Sequence, residues 1–206
     1  MSRQYALVLA AFVLLLLLTI SGLHPYDRLT WWMEVAPILI ALPILVATHG
    51  RFPLTSLVYA LLFVHAVILM VGGAYTYARV PLGFWLEALL HTARNPYDKI
   101  GHFAQGFVPA LVIREILTRG RYVRTRGMLA FLVLCVVLAI SACYELVEWL
   151  SALLMGQGAD EFLGTQGDPW DTQSDMVFAL IGGACALLFL SRLHDRQIQA
   201  LENLDA

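Results

Sequence analysis

The sequence predicts an all-α, polytopic membrane protein, a single domain over residues 1–206 folded as a bundle of six transmembrane helices. Three observations carry that expectation. Of 206 residues, 60% are apolar and 14% charged, where a soluble domain has roughly half and about a quarter. The mean hydropathy is +0.74. The apolar residues also gather into six runs of spanning length, and at about 20 residues per crossing these occupy about 120 positions. Only short loops remain, which excludes a sizeable soluble domain, a disordered regulator and a nucleic-acid binder. The net charge of -2 says little, because sign matters here by side of the membrane.

The six runs are Tyr5–Leu23, Glu34–Thr48, Leu54–Tyr77, Ile100–Thr118, Met128–Met155 and Thr172–Leu193. The first follows Arg3 and resembles a secretory signal, but its uncharged stretch is too long for a signal core and no small-x-small site follows, so it reads as a span. Pro37 and Pro43 fall in the second run and Pro109 in the fourth, where neighbouring helices can re-satisfy the freed carbonyls. Between the third and fourth runs, Leu82–Arg94 is rich in apolar and aromatic residues and reads as an interfacial helix. Gly72-Gly73 and Gly182-Gly183 read as points of close helix packing. Cys135, Cys143 and Cys185 have no metal or redox spacing and read as small buried hydrophobes. The tail His194–Ala206 reads as a short polar helix or a frayed end.

Basic residues set the orientation. With the amino terminus in the cytoplasm, nine fall inside (Arg3, Arg51, Arg114, Arg119, Arg121, Arg124, Arg126, Arg192, Arg196) and four outside (Arg28, Arg79, Arg94, Lys99). Gly120–Gly127 is strongly basic, whereas Gly156–Gln173 carries acids and no Lys or Arg. Both termini are therefore expected in the cytoplasm.

One phrase, x-Pro-aromatic-Asp, recurs at His24-Pro25-Tyr26-Asp27, Asn95-Pro96-Tyr97-Asp98 and Asp168-Pro169-Trp170-Asp171, at offsets of 71 and 73 residues. Each copy precedes a run expected to cross from outside to inside, so the chain resembles three helical hairpins. The simplest reading is local: Asn or Asp caps a helix, Pro suits its first position, and an acid in the first turn favours the dipole. Tyr and Trp favour the membrane interface.

Capping does not account for the polar residues that follow. Asp98, His102 and Gln105 are spaced i, i+4 and i+7 on one helix face. Ser141, Glu145 and Glu148 repeat that spacing, and Asp171 is followed by Asp175. Glu34 opens the second run, His65 lies mid-span, and Tyr75 and Tyr77 close the third. All but the first span thus carry polar groups at one depth near the outer surface, while the inner halves are apolar apart from Glu115 and terminal arginines. Acids inside a bilayer are costly unless they face a watery cleft, share a proton, pair with a base or bind a cation. Lys99, Arg79, Arg94 and His102 are the bases at hand. His65 reads as a hydrogen-bonded histidine between helices, and His49, His91 and His194 belong to no cluster.

The motifs His24-Pro-Tyr-Asp-Arg, Gly72-Gly73-Ala-Tyr-Thr-Tyr, Asn95-Pro-Tyr-Asp-Lys-Ile-Gly-His102, Tyr144-Glu-Leu-Val-Glu-Trp149 and Gly164-Thr-Gln-Gly-Asp-Pro-Trp-Asp-Thr-Gln173 resemble the YjdF-type bacterial inner-membrane proteins. The resemblance runs over nearly the whole chain and implies topology and location without a reaction. A shorter likeness is to the VanZ-like membrane proteins: their Asp-Lys-x-x-His pattern is similar to Asp98-Lys99 with His102, and their Asp-x3-Asn-x2-Gly pattern to Asp175 and Gly182, with Ala179 in place of the Asn. It implies that Asp98, His102 and Asp175 form one constellation.

Three functional classes follow. The first is an outward-facing polar pocket that binds or acts on a membrane lipid or cell-envelope headgroup. His102, Glu145 or Glu148 would serve as general base, and Asp98, Lys99, Gln105, Gln166, Asp171, Asp175, Tyr75 and Tyr77 would bind the ligand. A divalent cation is the expected cofactor: Asp98, Asp171 and Asp175 with Gln105 or Gln166 would form an all-oxygen site suited to Mg, Ca or Mn, and Asp98, His102 and Asp175 a site open to Zn or Mn. The second is a small proton-coupled transporter, which needs polar access from the cytoplasm as well. The third is a non-catalytic envelope scaffold in which the cluster is internal glue.

Overall fold

A computed structural model describes residues 3–155 and 166–205. Residues 156–165 of the acidic connection, with Gly164 and Thr165 of the last motif, lie outside the described residues. Among the described residues there are seven α-helices: α1 (Arg3–Leu23), α2 (Arg28–Thr48), α3 (Ser56–Tyr75), α4 (Pro81–Leu90), α5 (Tyr97–Arg119), α6 (Arg126–Met155) and α7 (Asp171–Asp205). A 3-10 turn, Tyr77–Arg79, links α3 to α4. All but α4 are long and apolar enough to cross a membrane, so the all-α, six-span architecture holds. The short α4 occupies the stretch read as an interfacial helix, with Pro81 at its start and His91 ending it in the left-handed region at φ 52°.

Two boundaries differ most from the sequence reading. The second helix starts at Arg28 rather than Glu34, because the Asp27 carboxylate caps it, accepting from the Thr30 amide at 2.7 Å. The last helix continues through His194 to Asp205 instead of ending at Leu193. No Gly or Pro interrupts that tail. At 1.5 Å per residue its 35 residues run about 52 Å, well beyond a hydrocarbon core of about 30 Å.

The recurring tetrapeptides are caps, as expected, with one shift of position. Asn95 Oδ1 accepts from the Tyr97 amide at 3.0 Å, and Asp168 Oδ1 from the Trp170 amide at 2.9 Å. In the first copy the leading residue is His24, and the cap passes three residues on to Asp27. Asn95 is also buried, and its Nδ2 donates to the Val80 carbonyl at 3.1 Å. A Cβ on Gly83 would stand 1.7 Å from Asn95 Oδ1, so only glycine admits this side chain. Asn95→Ala should therefore lower stability by about 1–2 kcal/mol, a lost cap plus a lost buried bond. Asn95→Asp should recover the cap but not the Val80 bond, and thermal unfolding of detergent-solubilised protein ranks the three.

The chain divides into two compact units, Met1–Arg51 with Phe63–Asp98, and Phe52–Leu62 with Lys99–Ala206. The first has an apolar core of Leu14 and Leu18 from α1, Trp31, Val35 and Ile38 from α2, and Ala66, Leu69 and Met70 from α3. The Trp31 indole nitrogen donates to Ser21 Oγ at 3.0 Å. Gly72 gives its face to the Tyr77 ring and Gly73 its face to Glu34 and Trp31, which is the close packing read from that pair. His65, expected to be hydrogen-bonded, has no partner at Nε2 among the described residues. The Arg79 guanidinium lies 4.2 Å over the Tyr26 ring.

The second unit is built on α5, α6 and α7. A Cβ on Gly106 would lie 1.7 Å from the Ala179 carbonyl oxygen, and one on Gly182 would lie 2.1 Å from that of Phe103. At these points α5 and α7 touch backbone to backbone, running side by side in the same direction. Gly183 meets Leu134 and Val137 of α6, so the doubled glycine serves two neighbours. The burial pattern is inverted relative to a soluble protein. Leu154, Leu188 and Phe189 are at least three-quarters exposed, while Glu115 and His194 are fully buried. Lipid supplies the environment those apolar faces need. The same outward faces take Cys135 and Cys143, which are exposed rather than buried as expected.

Candidate functional site

The buried positions of α7 form one stripe, Asp171, Asp175, Ala179, Gly182, Gly183, Ala186, His194 and Ile198. Acids stand at one end, small residues in the middle and a histidine towards the other. From Asp175 to His194 is 19 residues, about 28 Å along the helix. Two polar clusters are thus separated by about one hydrocarbon thickness.

The first cluster contains most of the residues singled out from sequence. Lys99 Nζ donates to Asp171 Oδ1 at 2.7 Å and to Asp175 Oδ1 at 2.6 Å. His102 sits between α7 and α6, with Nε2 3.7 Å from Asp175 Oδ1 and Nδ1 3.9 Å from Glu145 Oε1. Its Nδ1 donates to Gln105 Oε1 at 2.9 Å. Asp98 lies in the first turn of α5, one turn before His102 on the same face. Asp98, His102 and Asp175 each offer a ligand atom, and the three lie within 4.8 Å of one another. All three are buried, as are Glu145 and Asp171. Ser141, one turn along α6 from Glu145 on its buried stripe, is fully enclosed, and its hydroxyl has no hydrogen-bond partner among the described residues.

The remaining expected residues occupy varied settings. Glu148 is half-buried one turn beyond Glu145, Gln105 is half-buried beneath His102, and Gln166 is exposed at φ 48° in the turn before α7. Tyr75 and Tyr77 belong to the first unit. Tyr75 is exposed, and Tyr77 packs on Gly72 and against Tyr97 at 5.8 Å between ring centres.

The second cluster corrects the sequence reading, which gave His194 no partners. Glu115 Oε1 accepts from the Thr55 amide at 2.9 Å and from Arg119 Nη1 at 2.9 Å. Its Oε2 accepts from the Thr55 hydroxyl at 2.8 Å and from His194 Nε2 at 2.9 Å. Arg114 Nη1 reaches His194 Nδ1 at 3.2 Å. A guanidinium has only donors, so Nδ1 accepts and the ring proton is on Nε2, aimed at Glu115. Arg114 also pairs with Asp195, Arg119 Nη1 donates to the Pro53 carbonyl at 2.6 Å, and Gln197 Oε1 accepts from the Leu57 amide at 2.9 Å. The signal was present in Arg114-Glu115, Arg119 and His194-Asp195, spaced at helical intervals on two spans.

Residues 6–196 match a family model described as "Predicted membrane protein (DUF2238)". The chain is 61% identical over 190 residues to "Inner membrane protein YjdF" of Escherichia coli (strain K12), covering 92% of this chain and 91% of that protein. No solved structure matches. A family match over nearly the full length, with six spanning helices arranged inside-out, makes this a multi-pass integral membrane protein belonging to the DUF2238 family.

Proposed function

We propose that this inner-membrane protein uses the Lys99–His102–Asp175 cluster as an outward-facing polar pocket that binds or acts on a lipid or cell-envelope headgroup. The observation that carries the reading is the contrast between the two clusters of one helical unit. Around Glu115 the spacings are those of hydrogen bonds and the groups interlock, which is how internal glue is built. Around His102, Nδ1 is held by Gln105 and Lys99 by the two aspartates, but Nε2 stands 3.7 Å from Asp175 Oδ1, too far for a hydrogen bond, and the enclosed Ser141 hydroxyl has no bond among the described residues. That spacing leaves a place for a further atom. The excess of basic residues at the opposite helix ends supports an outer position for this cluster and cytoplasmic termini. Within the cluster Lys99 holds the two aspartates of α7, and His102 or Glu145 is the group placed to take a proton from a bound ligand.

The transporter alternative needs a route to the cytoplasm, and the closed Glu115 network stands at that end of the unit. The scaffold alternative draws on the Lys99 ion pairs, which join α5 to α7 without any ligand. Native mass spectrometry of the purified protein with phosphatidylethanolamine, phosphatidylglycerol or a polyprenyl phosphate separates the readings. The expected result is a stoichiometric adduct with one lipid class, reduced at least fivefold by Lys99→Met or Asp175→Asn in folded protein. Equal adducts for all lipids and both variants would leave the cluster as glue.

A further inference from the structure

We propose that the imidazole of His102 and the carboxylates of Asp98 and Asp175 bind a divalent transition-metal ion, Zn2+ or Mn2+, through His102 Nε2. The proposal rests on the reading of this cluster as a site and deepens it by naming what the site holds.

The argument begins with the imidazole. Gln105 Oε1, 2.9 Å from Nδ1, is an acceptor, so it fixes the ring proton on Nδ1. In the neutral ring Nε2 then presents a lone pair. That lone pair faces Asp175 Oδ1 across 3.7 Å, an arrangement of two donor atoms that one cation can bridge. The spacing fits an ion better than a proton. It is too long for a hydrogen bond, whereas two bonds of about 2.1 Å at a tetrahedral angle put their donor atoms about 3.4 Å apart. Asp98 supplies the third donor from the same face of α5, with all three ligand atoms inside 4.8 Å.

The surroundings favour the same conclusion. A metal-bound histidine typically gives its other N–H to a carbonyl or carboxylate, which orients the ring and raises its basicity, and the Gln105 amide oxygen occupies that place. Lys99 Nζ bonds Asp171 and Asp175, and the carboxylates of Asp98, Glu145, Asp171 and Asp175 are all buried. Divalent charge is favourable among buried carboxylates. A nitrogen donor beside two carboxylates selects Zn or Mn over Mg or Ca.

The test uses chelator-treated, full-length protein in detergent with no added lipid, titrated with ZnCl2 and MnCl2 by calorimetry. The expected result is one ion per chain, with affinity reduced at least tenfold in His102→Gln and in Asp175→Asn. A second measurement needs no variant: electron-spin-echo spectra of wild-type protein loaded with Mn2+ should carry the modulation of a directly bound imidazole nitrogen. Absence of saturable binding by either ion, unaltered affinity in both variants, or a bound Mn2+ without nitrogen coupling each overturns the proposal. Because only the ions are added, binding here with no lipid preference in mass spectrometry would sink the headgroup reading alone. A selective lipid adduct without ion binding would sink the metal site alone.

Discussion

Glu115→Ala should lower stability by about 3–5 kcal/mol, the cost of breaking a buried charged network by removing one member. The size follows from what remains. The Thr55 amide and hydroxyl and the His194 Nε2–H would lose their acceptor in a fully buried setting, and each unsatisfied group costs about 1–3 kcal/mol before relaxation. Arg119 is better insured, since it keeps the Pro53 carbonyl and lies 3.9 Å over the Phe52 ring. Glu115→Gln should come within about 1 kcal/mol of alanine despite its matching shape. Every partner of the carboxylate is a donor, so the amide NH2 would confront a donor whichever way it turned. His194→Ala should cost less, because Glu115 retains Thr55 and Arg119. Combining Glu115→Ala with His194→Ala should show a coupling of about 0.5–3 kcal/mol. Unfolding in mixed detergent micelles gives these values. A Gln variant near wild type would mean that one of the four partners accepts.

That network also marks where sequence reasoning stopped. Period and hydropathy locate the spans because a bilayer imposes one length and one chemistry on each. The i, i+4 spacing places Asp98 with His102 and Asp171 with Asp175, because a helix face is a local property. Which faces meet is not local: Lys99 finds Asp171 72 residues away, and Glu115 finds His194 79 residues away. Near the outer surface an acid or histidine stands out against apolar surroundings, so that cluster was legible as a set, though not as pairs. At the opposite end Arg114 and Arg119 fall where any inner helix terminus carries arginine. They read as topology signals, and their partnership with Glu115 was hidden behind that use. The cysteines misled for a related reason. A small apolar residue in a soluble protein faces inward, but on a spanning helix the outward face is equally apolar.

Gly106→Val should be strongly disruptive, because it strikes the contact that sets the distance between α5 and α7. Even a single Cβ there would lie 1.7 Å from the Ala179 carbonyl oxygen, a backbone atom that cannot swing away. Overpacking usually costs about 1–3 kcal/mol, and a β-branched side chain against backbone belongs at or above that range. Gly182→Ala, at 2.1 Å from the Phe103 carbonyl oxygen, should cost less but act in the same sense. Gly127→Ala is the control: its Cβ meets nothing within 4 Å, so it should be neutral or slightly stabilising through helix propensity. The consequence reaches the site. Gly106 lies one turn beyond His102 and Ala179 one turn beyond Asp175, so forcing the helices apart widens the 3.7 Å gap between imidazole and carboxylate. Thermal unfolding should rank Gly106→Val below Gly182→Ala below Gly127→Ala, and Mn2+ affinity of whatever folded Gly182→Ala protein survives should fall with it. If Gly182→Ala unfolds and binds as wild type does, the close approach of α5 and α7 does not set the spacing of His102 and Asp175.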